Sequence, residues 1–387
     1  MNVLYIIDYG TVGGATHSFL EMVFALRELG VTPIVCTSRD SSINEYLNGI
    51  GIRNVSIGHK TVLEPFSFKS IRGVLKFPRK IISFYRGEKK ALQIIDGDID
   101  FSQIDIVHTN SARNDIGCYV NMKYGTPHVM HIREFADLDF NCISFRRNYI
   151  SIFNNFTTRF ISISDAVKRH WAKKGIESNK IETIYNGIHF EDISVSSDND
   201  KKDDLLRFVI VGGVYKTKGQ HIAVEAMTKL PEEIRKKVSL DIIGWYGSRY
   251  IPSFMKKAKE CGIESQIIIL GSKNDVHQRL GNYQIGLMCS RAEGFGRTTA
   301  EYMHARLGVI ASDSGANPEL IEDGVTGLLF KSGDAKSLAD CIVRLYKDRE
   351  LLVRLSNAAQ EKARKCYTQQ KNAESIYNLY NEILNNK

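Results

Sequence analysis

The sequence predicts an α/β protein built from two doubly wound domains in tandem. Three observations carry this. Short apolar runs of strand length alternate with helical stripes from the first residues onward. A polar stretch at residues 191–204, Glu-Asp-Ile-Ser-Val-Ser-Ser-Asp-Asn-Asp-Lys-Lys-Asp-Asp, interrupts that alternation, which then restarts at Arg207. With 387 residues, 43% of them hydrophobic, the chain has material for two separate cores.

Residues 3–7 are a continuous apolar strand, the pattern of a parallel sheet covered on both faces. Gly10, Gly13 and Gly14 follow. Phe19, Met22, Val23 and Leu26 then recur at helical spacing, and Gly30 stops that helix. Further strands are expected at 33–37, 104–108, 128–131 and 160–163. After the polar stretch come a strand at 207–211 and a helix at 221–230, then strands at 239–243, 266–270, 284–289 and 309–312. Beyond Lys336 the chain reads as helices, the last with Ile376, Tyr380, Ile383 and Leu384 on one stripe. The expected division is 1–190 for the first domain, 191–204 as linker and 205–365 for the second. Residues 366–387 then form a helix that docks back on the first domain.

Composition narrows the function. Seven cysteines are scattered without a Cys-x-x-Cys pair, which favours reduced thiols over disulfides or zinc. The N-terminus lacks a basic lead-in and reads as a first strand, not a signal peptide, and no apolar stretch approaches membrane-spanning length. A cytoplasmic protein, soluble or peripheral at the inner face of the membrane, is expected. The net charge of +8 is concentrated: residues 69–90 hold eight Lys or Arg and one acid, Glu88. A local basic patch suits an anionic surface or ligand better than general nucleic-acid binding. Ile71, Val74, Leu75, Ile81, Ile82 and Tyr85 give that patch an apolar stripe, interrupted at Pro78. Either an interfacial helix drawn to anionic lipid or an ordinary helix with a solvated basic face fits it.

The chemistry is expected at residues 290–301, Ser-Arg-Ala-Glu-Gly-Phe-Gly-Arg-Thr-Thr-Ala-Glu. Glycines Gly294 and Gly296 carry the chain from a strand end into a helix start, where backbone N–H groups and the helix dipole suit a phosphate. Glu293 and Glu301 bracket the turn. Thr298-Thr299-Ala300-Glu301 also reads as a capping box, which by itself accounts for Glu301. Three further clusters end predicted strands. Gly10-Thr-Val-Gly13-Gly14 lacks the dinucleotide glycine spacing and serves equally as a tight turn or a close approach to substrate. Lys216 and Lys218, among Gly212, Gly213 and Gly219, can reach a diphosphate or simply be solvated. His108 and His131 are structural or face a cleft. The Asp-x-Asp pairs at 96/98, 98/100, 137/139 and 198/200 read as solvated loop acids, not a metal site. Serine-hydrolase and zinc-protease signatures are absent.

Taken together, these residues resemble the retaining glycosyltransferases of family 4, which have two Rossmann-like domains facing an interdomain cleft, the GT-B fold. Glu293-Gly-Phe-Gly-Arg-Thr-Thr-Ala-Glu301 fits the family's Glu-x7-Glu motif. Residues 302–312 resemble the "EAMA.G.PVIAS" segment and 319–328 the "E.I.DG.TG" segment. Asn186-Gly187 looks like the pair that ends the first domain, while Gly13-Gly14, His108 and His131 sit at the family's glycine turn and two histidines. The match is specific in the second domain and looser over residues 40–100. One departure stands out: the family's arginine before Lys-Gly is Gly213 here.

The resemblance implies transfer of a sugar from a nucleotide-sugar donor to a glycan or lipid-linked acceptor, in polysaccharide or glycoconjugate synthesis. It implies a hexosyltransferase without metal or other cofactor, acting with retention and closing on its donor. Lys218, the 296–299 helix start with Thr298 and Thr299, and Arg297 in place of the missing arginine would neutralise the leaving diphosphate. Glu301 would hold the ribose. Glu293, with the backbone around Phe295 and Gly296, would orient the sugar, and His131 would touch a sugar hydroxyl. Gly13 and Gly14 would lie against the donor. An epimerase or phosphorylase on the same fold, or a degenerate binding protein, are the alternatives.

Overall fold

A computed structural model describes residues 1–8, 14–66, 71–196, 205–247 and 250–386. It divides into two compact units, Met1–Gly187 with Gln369–Lys387, and Ile188–Thr368.

The first unit contains strands β1 (Asn2–Ile7), β2 (Thr32–Thr37), β3 (Arg53–Ser56), β4 (Leu63–Pro65), β5 (Ile106–Thr109), β6 (His128–Ile132), β7 (Cys142–Ser144), β8 (Arg159–Ser162) and β9 (Ile181–Thr183). Seven form a parallel sheet in the order β3-β2-β1-β5-β6-β8-β9, while β4 and β7 make a small antiparallel pair. The apolar run of β1 serves two cores because alternate residues face opposite sides. Val3, Tyr5 and Ile7 pack with the Gly14–Glu28 and Gln369–Asn385 helices, and Leu4 and Ile6 pack with Ala91 and Ile95 of the Ile71–Asp98 helix. All five are fully buried, so each contributes roughly 1.5–3 kcal/mol of transfer free energy. Leu29 and Gly30 fold back on Leu26 and Arg27 with Gly30 at φ +88°, which ends the first helix where the sequence places its stop.

The second unit has β10 (Leu206–Val211), β11 (Val238–Ile243), β12 (Ile267–Gly271), β13 (Ile285–Met288), β14 (Gly308–Ser312) and β15 (Leu328–Phe330). They form one parallel sheet ordered β12-β11-β10-β13-β14-β15. The order reverses at β10/β13 here, and at β1/β5 in the first unit. Carboxyl-end loops diverge at such switch points and leave room for a ligand.

Three sequence expectations change. The start of the polar stretch is packed: Ser196 is fully buried, with its N–H on the Ala305 carbonyl and its hydroxyl on that of Tyr283. The remainder of that stretch, 197–204, lies outside the described residues. The Ile71–Asp98 helix runs through Pro78 instead of breaking there. Proline removes only the bond to the Val74 carbonyl, and Val74 is exposed, so water can satisfy that group. The Asp-x-Asp acids at 96, 98 and 100 are exposed, as expected of solvated acids, but Asp96 and Asp98 lie in the Ile71–Asp98 helix and not in a loop, and several of the described acids have protein partners. Asp96 binds Lys123 and Tyr124, Asp100 caps a short turn, Asp137 pairs with His170 and Lys174, and Asp139 accepts from the Phe135 N–H. Asp198 and Asp200 lie outside the described residues.

Candidate functional site

In the second unit the loops after β10 and β13, on either side of the switch point, meet. The Arg291 N–H donates to the Thr217 carbonyl at 3.2 Å. Gly219 takes φ +75°, and a Cβ there would lie 2.2 Å from the Cys289 carbonyl oxygen, so only glycine lets the two turns close. The contact that matters is polar: Lys218 Nζ donates to Glu293 Oε2 at 2.8 Å. Thus two residues 75 apart in sequence become one ion pair, and both are only partly exposed. The Glu293 backbone is fixed in turn by the Ala316 N–H, which donates to its carbonyl at 2.8 Å.

The Arg297–His304 helix follows, with Gly296 at φ +89° as its N-cap, a residue that has no side chain to cap it. The capping-box expectation therefore fails. Glu301 sits a full turn inside the helix and cannot reach its start; instead it takes Arg297 Nε at 2.9 Å and His277 Nε2 at 3.4 Å, both on Oε1. Burial pushes the Glu301 carboxyl up, but His277 and Arg297 outweigh burial and hold it below the usual carboxylate range. Arg297 thus lies along its own helix against Glu301. Phe295 and Thr299 are buried, the ring edge-on to Tyr367 and the hydroxyl near Asn317 Oδ1, whereas Thr298 is half-buried. What Phe295 and Thr299 can offer a ligand is backbone, not side chain. Among the described residues, no group of three or more His, Cys, Asp or Glu is arranged to hold a metal ion.

In the first unit Gly13 lies outside the described residues, and Gly14 opens the first helix. His108 and His131 are both fully buried at the ends of β5 and β6. His108 belongs to the core: its Nδ1 meets the Tyr380 hydroxyl at 2.5 Å and its Nε2 meets His131 Nδ1 at 3.3 Å. Arg133 Nη2 also reaches His131 Nδ1 at 3.3 Å. A guanidinium only donates, so Nδ1 accepts and the His131 proton sits on Nε2. That Nε2 is buried and, among the described residues, has no hydrogen-bond partner. Burial, then the Arg133 charge, holds the His131 pKa well below its ordinary value, so the ring is neutral.

Two further polar residues at strand ends of this unit belong to no motif in the sequence. Asp8, after β1, accepts from Asn114 Nδ2 and pairs with His59 Nε2, each at 2.8 Å. Glu134, after β6, takes the Ser111 hydroxyl at 2.8 Å and the Ala112 N–H at 3.1 Å, and burial pushes its carboxyl up to about 7. The usable signal was position: each is an acid within two residues of the end of a buried strand.

Residues 192–362 match the family described as glycosyl transferases group 1, and residues 12–192 match glycosyltransferase family 4. The N-acetyl-alpha-D-glucosaminyl L-malate synthase of Bacillus anthracis is 28% identical over 172 residues, 44% of this chain and 43% of that protein. The lipopolysaccharide core mannosyltransferase LpcC of Rhizobium leguminosarum is 29% identical over 177 residues, 45% of this chain and 50% of that protein. The chain thus matches about half the length of these two relatives. An uncharacterized glycosyltransferase of Methanocaldococcus jannaschii is 24% identical over 97% of both chains. Among solved structures, Anabaena HepE in complex with UDP superposes with a TM-score of 0.80 at 20% identity, over 99% of this chain and 100% of that one. The same protein in complex with UDP-glucose gives 0.77 at 20% identity, over 99% and 100%.

Proposed function

Since the chain belongs to the family 4 glycosyltransferases and has their two-domain α/β GT-B fold, we propose that it moves a sugar from a nucleotide-sugar donor to a glycan or lipid-linked acceptor. The observation that carries this reading is the Lys218–Glu293 pair at the switch point, beside a helix start whose N-cap is a left-handed glycine. Lys218 and the backbone N–H groups of the 296–299 turn supply fixed positive potential where a leaving diphosphate accumulates charge. Glu293, oriented by Lys218, takes the sugar hydroxyls. Glu301 uses Oε2 for the ribose, because Oε1 is occupied by Arg297 and His277. His131 keeps a neutral Nε2–H for a sugar hydroxyl. The acceptor hydroxyl attacks the anomeric carbon on the face the diphosphate leaves. The bond to the phosphate oxygen breaks, the glycosidic bond forms, and a phosphate oxygen takes the acceptor proton. The UDP and UDP-glucose bound by the Anabaena protein support a sugar nucleotide as the donor. Relatives named for lipopolysaccharide core and capsular polysaccharide synthesis support a glycan acceptor.

The test is turnover of UDP-, GDP- and ADP-sugars with and without a chelator, with product stereochemistry read by proton NMR. Retained anomeric configuration and a rate unchanged by the chelator are expected. Inversion of configuration, or activity abolished by the chelator, would overturn the retaining, metal-free reading.

A peripheral place at the inner face of the membrane is also proposed, on the Ile71–Asp98 helix. Its inner face buries Phe84, Glu88, Ala91 and Ile95, while Leu75 at 71% and Ile82 at 51% are exposed one heptad apart with Arg79 and Arg86 between and after them. No helix among the described residues is long and apolar enough to cross a membrane. Co-sedimentation with anionic vesicles is expected at low ionic strength, weakened several-fold by 0.5 M salt and by Leu75→Glu with Ile82→Glu. Equal sedimentation of wild type and double variant would remove this proposal.

A further inference from the structure

Three exposed aromatic rings stand together at the carboxyl ends of β10 and β11. Trp245 is 61% exposed, and Tyr215 and Tyr246 are each 44% exposed. The chain has two tryptophans, and the other, Trp171, is fully buried in the first unit with its Nε1 on the Glu134 carbonyl. Exposing a large ring on a rigid strand end leaves apolar area in water that a planar partner would cover.

The two turns are locked to each other. The Val214 N–H donates to the Trp245 carbonyl at 2.9 Å, and Val214 bridges to Tyr246. The Tyr215 and Trp245 ring centroids are 6.0 Å apart. Gly213 is what permits this arrangement: a Cβ there would lie 2.2 Å from Tyr215 Cε2 and 2.7 Å from its hydroxyl, so the phenol ring occupies the space of a side chain at 213. Gln220 Nε2 holds the Gly213 carbonyl at 3.0 Å.

The strip has two ends, and both point to a nucleotide. At one end, the Tyr215 carbonyl accepts the Lys218 N–H at 2.9 Å, so the stacking ring and the cation proposed for the diphosphate share one tight turn. At the other, Tyr246 Cε1 stands 3.7 Å from where a Cβ on Gly271 would sit, and the Gly244 N–H donates to the Gly271 carbonyl at 2.9 Å. The next helix, Val276–Leu280, carries His277 to Glu301, the carboxylate proposed for the ribose. We propose that Trp245 and Tyr215 are the stacking surface for the donor's nucleobase, an inference that rests on the sugar-nucleotide reading above. A base fits better than an acceptor sugar. Among the described residues of these turns, the exposed rings are accompanied by Gly213, Gly244 and Gly247, and the one amide in reach, Gln220, is fully buried and held on the Gly213 carbonyl.

The test uses the full chain with UDP, GDP and ADP as probes, reading tryptophan emission and calorimetric affinity. Each nucleotide is expected to quench emission in a Trp171→Phe variant, where only Trp245 emits. Trp245→Ala is expected to weaken all three by about tenfold, because stacking on an aromatic tolerates any base. Trp245→Phe restores most of that loss, and the effect on turnover is read in KM for the donor. Unchanged thermal unfolding of Trp245→Ala would show that the loss is not one of folding. Undiminished nucleotide affinity in Trp245→Ala, with silent emission, overturns the stacking role and leaves the donor-site reading intact. Quenching by methyl glycosides but not by nucleotides reassigns the surface to the acceptor and also overturns it. If wild type binds none of the three nucleotides, the donor reading fails and this inference falls with it.

Discussion

Replacing Lys218 with alanine is expected to lower kcat by about 10²- to 10³-fold, the usual cost of deleting one preorganised group aimed at developing charge. Two effects add. The leaving diphosphate loses one of the two cations proposed for it, and Arg297 is already held by Glu301. Glu293, whose side chain is only 16% exposed, also loses its partner and the orientation that partner imposes. Lys218→Arg keeps the charge but presents a planar fork on a longer arm, so partial rescue of kcat is expected. Arg297→Ala is the comparison that locates the second cation. Its Nε already holds Glu301, so its removal frees the ribose carboxylate as well as any diphosphate contact. Donor KM should therefore rise roughly tenfold or more, as for loss of a hydrogen bond to a charged group. The measurement is steady-state transfer with the donor varied, alongside circular dichroism to confirm folding. A Lys218→Ala enzyme within fivefold of wild-type kcat would remove the diphosphate role, and an Arg297→Ala enzyme with unchanged KM and kcat would do the same for Arg297.

Buried central strands were legible because burial on both faces forces continuous apolar runs: β1, β2, β5, β6, β8, β10, β11, β13 and β14 all fall on expected segments. Edge strands were legible only where apolar. β12 falls on the expected 266–270. But Arg53–Ser56 is β3, partly exposed with three polar residues in four, and Leu328–Phe330 is a three-residue edge, so neither of these shows a period long enough to read. Nor were pairings across long separations legible. The Glu293 turn and the Lys218 turn are each visible as glycine-bearing strand ends, yet only the β10/β13 switch point makes them one site. Glu301 shows the limit most clearly. Its spacing from Thr298 satisfies a capping box, but the helix begins at Arg297 after a left-handed glycine, so the same residue is free to face Arg297 and His277. The aromatic strip escaped for a related reason: Trp245 and Tyr215 lie on different turns, and nothing in either stretch announces that their backbones are hydrogen-bonded together.

Glu88, the lone acid among eight basic residues, is the least expected structural element, and it carries the largest predicted stability effect. It is buried, and it pairs with Arg146, which also bonds Asp115 through Nε at 2.8 Å. The guanidinium lies 5.1 Å from the ring centroids of Phe84 and Tyr85 and 5.4 Å from that of Tyr119. One cation thus joins the Ile71–Asp98 helix, the start of the Ile116–Tyr124 helix and the chain leaving β7. Burial pushes both carboxyls up, Asp115 raises Glu88 further, and the Arg146 charge opposes both shifts. Arg146→Ala would leave two acids facing each other without a counter-ion, so a loss of about 3–5 kcal/mol is expected for the first unit. Adding Glu88→Gln and Asp115→Asn to Arg146→Met should recover most of it, because a well-packed neutral set no longer carries the desolvation cost of three charges. Urea unfolding read at 222 nm checks both, and a loss below about 1 kcal/mol for Arg146→Ala would show that the triad is not a stabilising tie. The same experiment bears on function. The outer face of that helix displays Leu75 and Ile82, so a variant that loosens Arg146 should lose vesicle binding together with stability, whereas Leu75→Glu with Ile82→Glu should lose vesicle binding alone.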